Sequence, residues 1–101
     1  MTSLERGQCR TPAVAGSFYP EDAHLLQQSV HELYAAADRL NREAAGPVEA
    51  VIAPHAGYQY SGVVAAVALA SVQSRPRRII LVGPAHRVAF RGISGGDFDG
   101  Y

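Results

Sequence analysis

The 101 residues include no lysine, no tryptophan and a single cysteine, Cys9. One thiol cannot close a disulfide within the chain, so a scaffold stapled by its own cystines is excluded. Nine basic residues, all arginine, balance nine acidic ones, for a formal net charge of +0. A basic stripe that would neutralise phosphates is therefore missing, and nucleic acid is not an expected partner. Long apolar runs are missing too. The longest, residues 63–70, falls far short of the roughly 20 residues that cross a bilayer. Residues 1–10 lack the apolar core of a signal peptide. The expectations are no membrane partner and a cytoplasmic location. Hydrophobic content of 48% against 18% charged residues fits a soluble globular domain.

What is present is a pattern of two kinds of apolar segment. From Glu21 to about Asn41, Leu26, Val30, Leu33, Ala37 and Leu40 recur on one face of a 3.6-residue period, which predicts a helix. Pro20 suits the first helical position, and Glu21 and Asp22 suit the positive end of its dipole. Gly46-Pro47 then marks a loop. Residues 48–53 predict a strand, and its run Ala50-Val51-Ile52-Ala53 lacks polar alternation, as expected of a strand covered on both faces. Residues 62–72 are almost wholly Val, Ala and Leu and predict a helix buried all round, with Ser61 as its N-cap. Residues 77–82 predict a second strand. Strand, helix, strand is a βαβ unit, so the expected fold class is α/β, with a parallel βαβ core of a layered α/β/α sheet. Residues 11–19 read as a short strand or extended loop, and residues 89–93 as a short strand inside an otherwise loop-like end.

Two segments carry the chemistry. Ala53-Pro54-His55-Ala56-Gly57-Tyr58-Gln59-Tyr60-Ser61-Gly62 and Gly83-Pro84-Ala85-His86 each place a histidine just past a predicted strand. In open parallel sheets that edge is where ligands bind. Two imidazoles delivered there suit a transition metal such as iron, copper, zinc or nickel. Either histidine could instead cap its strand end by hydrogen bonding, and the spacing alone leaves both readings open. Tyr58 and Tyr60 offer phenol groups to line a pocket. A metal site needs at least a third ligand. Cys9, Glu21, Asp97 and Asp99 are the candidates within the chain, none at a convincing spacing, so further ligands are expected beyond residue 101. His24 and His31 lie two helical turns apart, roughly 10 Å along the axis, too far for one ion. They are read as surface residues. Arg75, Arg77 and Arg78 read as a solvated rim. Gly83-Pro84 has neither phosphate-loop spacing, and neither Ser17 nor Ser61 sits in a nucleophile elbow.

The same segments resemble a known family. Thr11-Pro12-Ala13-Val14-Ala15-Gly16-Ser17-Phe18-Tyr19-Pro20, the His55 segment, Gly83-Pro84-Ala85-His86 and the closing Phe98-Asp99-Gly100-Tyr101 occur in the order found in the MEMO family. Its bacterial and archaeal members are called AmmeMemoRadiSam system protein B. The resemblance runs from about Arg10 to Tyr101. It implies a fold similar to class III extradiol dioxygenases, which are non-haem iron enzymes. It also implies a site that includes His55 and His86, binding of iron or copper, and redox chemistry. The implied partners are a radical SAM enzyme and a third protein of the same system. The chain departs from the family at Ala85, where a serine is common, and at Arg87, where a second histidine is common. Members are also longer, so the chain is expected to be the N-terminal part, residues 1–101, of a single MEMO-like α/β domain. The leading expectation is a two-histidine transition-metal site with redox or dioxygenase-like chemistry. The rivals are a non-enzymatic protein that docks a peptide or partner of the radical SAM system, and a metal carrier.

Overall fold

The computed structural model describes residues 8–40, 43–96 and 98–100. They form two α-helices, α1 (Ala23–Arg39) and α2 (Tyr58–Ala70). The chain divides into two compact units. One spans Val14–Arg75 and holds both helices; the other joins the segment up to Ala13 with the segment from Pro76 onward.

In the helical unit, α1 begins later than its sequence signals suggest. Pro20 and Glu21 precede it, and Asp22 is the N-cap, its Oδ1 accepting from the Leu25 amide at 2.9 Å. That bond satisfies one of the four amides every helix start leaves without a partner. On the outer face Gln28 donates to Glu32 at 2.9 Å, one turn on. Arg39 sits in the last turn, where a cation faces the negative end of the dipole. The predicted apolar face is the packed one: Leu26, Val30 and Leu33 are half-buried and Ala37 is buried. Leu40 is the C-cap and stays exposed.

Helix α2 starts four residues before the predicted Gly62. Gly57, not Ser61, is its N-cap. Its sequence is apolar on every side, yet it is not buried all round. Ser61, Gly62 and Ala66 face inward, while Tyr60, Val64 and Leu69 are exposed. The two helices pack on one another. Gly62 makes the approach close: a Cβ there would fall 2.8 and 2.9 Å from the Leu33 methyl carbons. The core is correspondingly small. Ala37 and Ala66 are its buried apolar residues, and among the described residues no large side chain is fully buried.

The expected α/β fold, with its parallel βαβ core of a layered α/β/α sheet similar to class III extradiol dioxygenases, is not formed. Among the described residues there is no β-strand; residues 48–53, 77–82 and 89–93 are all non-helical and unpaired into any ladder. Among the described residues, pairing is limited to two isolated bridges, Cys9 with Gly100 and Ala15 with Tyr19. The physical reason is that a strand cannot satisfy its own amides and carbonyls. It needs a neighbour, and an apolar run signals the wish to be covered without supplying the cover.

Residues 11–19, read as extended, contain a tight turn instead. Gly16 has φ +83, a conformation open to glycine, and its amide donates to the Tyr19 carbonyl at 2.8 Å. The Val14 carbonyl accepts from the Phe18 amide at 2.9 Å and from the Ser17 hydroxyl at 3.0 Å. In the other unit, the Arg10 amide donates to the Gly100 carbonyl at 2.9 Å and the Asp99 amide to the Gln8 carbonyl at 3.2 Å. No helix among the described residues is long and apolar enough to cross a membrane.

Candidate functional site

The His55 loop is the most fully built feature of the helical unit. Residues 51–55 are in no helix or strand, the chain bends at Ala56, and α2 begins at Tyr58. Two hydrogen bonds hold the bend. The Ser61 hydroxyl donates to the Ala56 carbonyl at 3.0 Å. The Tyr58 amide donates to the Phe18 carbonyl at 2.8 Å. The second bond supplies an external partner for an amide at the helix start, where the Gly57 cap has no side chain to offer. Gly57 itself is buried against the Phe18 backbone, 3.6 Å from where its Cβ would lie. The 14–19 turn is thereby a structural part of the loop that carries His55, and His55 remains exposed.

Tyr58 is half-buried and its ring lies 5.6 Å from that of Tyr19, tilted by 39°. Such a separation is favourable for aromatic pairs. Both rings line an open cleft of about 410 Å³, with Phe18, Ser29, Leu33 and Gln59. Tyr60 is 78% exposed on the uncovered side of α2. His24 and His31 are exposed on α1, as their spacing suggested.

His86 is exposed and belongs to the other unit, as do Cys9 and Asp99. Glu21 lies in the helical unit, beside Gly16: a Cβ on that glycine would sit 3.6 Å from its Oε2. Asp97 falls outside the described residues. Among the described residues, no group of three or more His, Cys, Asp and Glu side chains gathers as a metal would need. What the geometry brings together is His55 with its anchors; what it leaves in separate units is His55 and His86. The anchors themselves were not visible beforehand. The sequence signal for them is Ser61 six residues after His55, a residue type that equally suits a helix cap.

The helical unit thus holds an exposed histidine on a loop tied by hydrogen bonds to Ser61 and Phe18, beside two helices packed on one another. Residues 10–97 match the family described as Memo-like protein, and the chain belongs to that family. It is 37% identical over 84 residues to a MEMO1 family protein of Methanopyrus kandleri, covering 76% of this chain and 30% of that one. It is 40% identical over 81 residues to Protein MEMO1 of Danio rerio, covering 79% and 26%. With a MEMO1 family protein of Methanothermobacter thermautotrophicus it shares 38% over 96 residues, covering 84% and 33%. The chain thus spans about a third or less of the length of these relatives. No solved structure matches it.

Proposed function

We propose that His55 and His86 each supply an imidazole nitrogen to a transition metal, iron or copper, in a MEMO-like protein. The observation that carries this reading is the loop of His55: exposed at the imidazole-bearing residue, yet held by one hydrogen bond from Ser61 of α2 and one to the Phe18 carbonyl of the 14–19 turn. Imidazole is a donor both metals accept, and a fixed loop lowers the entropy lost when a ligand must hold still. The two histidines fit as part of a donor set, and the rest must come from other residues. When bound, such a metal supplies redox or Lewis-acid chemistry, including the dioxygenase-like oxidation of a phenolic substrate. The chain's own part is to present nitrogen donors and an apolar cleft wall containing Tyr58. A radical SAM enzyme and a third system protein are the partners this family reading brings with it.

Two rivals keep a specific footing. The open cleft beside Tyr19 and Tyr58 suits docking of a peptide or partner without chemistry. A carrier would bind metal and release it unchanged. Titration of the chain with Cu(II), and with Fe(II) under anaerobic conditions, tests the metal reading against them. His55→Ala and His86→Ala should each weaken binding by about tenfold or more, while His24→Ala and His31→Ala leave it unchanged. Equal affinity in all four variants sinks the metal reading. Binding without O₂ consumption on added catechol leaves the carrier or docking protein.

A further inference from the structure

We infer that Ser61 is a positioning residue for His55, acting through the backbone of the bend between them. This rests on the proposed role of His55 for its metal-binding arm, and stands on its own geometry for the rest.

Three observations converge. Ser61 is only 9% exposed, on the face of α2 that packs inward, where a serine is otherwise less suited than alanine. Its hydroxyl does not bond one turn back inside its own helix, as serines within helices commonly do. It reaches five residues back, past the N-cap, to the Ala56 carbonyl at 3.0 Å. That carbonyl precedes the helix and lies outside its hydrogen-bond ladder, so the hydroxyl gives it a partner that regular structure does not.

The consequence falls on the residue next door. Ala56 follows His55 directly, so fixing the Ala56 carbonyl limits the backbone dihedrals that set where residue 55 stands. The Phe18 carbonyl restrains the same bend from the other side through the Tyr58 amide at 2.8 Å. Gly57, between the two restraints, is buried with φ −55 and ψ 150. The bend is therefore tied at Ala56 to α2 and at Tyr58 to the 14–19 turn. Removal of either tie takes one of these two restraints from the bend beside His55.

The experiment compares the full chain with Ser61→Ala, Ser61→Thr and His55→Ala. Ser61→Ala should keep the helical circular dichroism of the parent and weaken Cu(II) binding about three- to tenfold, the size of one net hydrogen bond. Its Cu(II) electron paramagnetic resonance spectrum should broaden, reporting more than one ligand geometry. Ser61→Thr keeps the hydroxyl and should restore affinity and spectrum. Should alanine unfold α2, the comparison is repeated in sucrose, which favours the folded state by its exclusion from the protein surface. Parental affinity and spectrum in Ser61→Ala, with binding lost in His55→Ala, overturn the inference while leaving the metal reading intact. Parental binding in His55→Ala overturns the metal reading instead. The inference is then judged by nuclear magnetic resonance without metal. The Ala56 carbonyl carbon should shift and the His55 ring signals broaden in Ser61→Ala, and both should recover in Ser61→Thr; unchanged signals overturn it.

Discussion

Residues 62–70 of helix α2 and residues 79–82 are both apolar stretches free of charged and amide side chains, and they have opposite fates. α2 is a regular helix with Ala66 4% exposed. Ile79, Ile80, Leu81 and Val82 are 77%, 90%, 93% and 89% exposed, in no strand. Hydrophobicity is common to the two; the difference is how each satisfies its backbone. A helix bonds its own amides to its own carbonyls four residues back, and needs a neighbour only to cover one face. α1 provides that neighbour within a few tens of residues. A strand has no internal bonds and needs both a paired edge and a covered face. In this chain, which covers a third or less of its relatives' length, residues 79–82 find neither. Local structure thus forms where hydrogen bonding is local, whatever the apolar content.

The largest effect that would break this contrast is proline. Ala66→Pro removes a ladder bond in the middle of α2 and crowds the preceding turn, a cost of about 3 kcal/mol or more. With a core built on Ala37 and Ala66, the helical circular dichroism should collapse. Leu81→Pro, in an equally apolar run, should leave that signal unchanged. A loss of helix in Leu81→Pro would mean that residues 79–82 support the helices, and the contrast would be false.

A smaller effect tests how the helix pair closes. Gly62→Val places carbon where the Leu33 methyl groups now stand, under 3 Å away. Overpacking of this kind costs about 1–3 kcal/mol, and the lost helix-breaking glycine returns less than that. Urea unfolding should show the loss. Leu33→Ala in the same chain makes room, so the double variant should be more stable than the sum of the single losses predicts. Strict additivity would mean that Gly62 and Leu33 do not share the contact.

The helices were legible because their signals are local. The spacing of Leu26, Val30, Leu33 and Ala37 marked the packed face of α1, and those residues are its half-buried and buried ones. The boundaries were less so. Pro20 looked like a helix start, yet the Asp22 side chain supplies the cap; Ser61 looked like a cap, yet it lies inside α2 and reaches back to Ala56. Caps depend on which side chain meets which amide, and residue type narrows that choice without making it. The family was legible from four ordered motifs, and residues 10–97 match it. The parallel sheet was not legible correctly, because patterns in residues 48–53 and 77–82 state a preference whose fulfilment depends on partners. The 14–19 turn was half visible: Gly16 marks it, but its bond to Tyr58 joins residues 40 apart and leaves no periodic trace.

The smallest expected effect on stability sharpens the same contrast from the other side. Leu81→Lys puts a charge on a side chain already in water, so helical stability should stay within about 0.5 kcal/mol of the parent. The effect on association should be larger. An exposed, uncharged apolar run outside any strand is a template for pairing between chains, and a formal net charge of +0 opposes approach weakly. Lysine at its centre places like charges together in any such pairing and interrupts the apolar run. Light scattering should therefore show less self-association in Leu81→Lys than in the parent at equal concentration. The same substitution at Val64, exposed on α2, should reduce association less, because a helix offers no unpaired edge and presents only a side-chain face. Equal reductions at the two positions would show that apolar surface alone drives association, and that the state of the backbone, which separates the two stretches in folding, plays no part once chains meet.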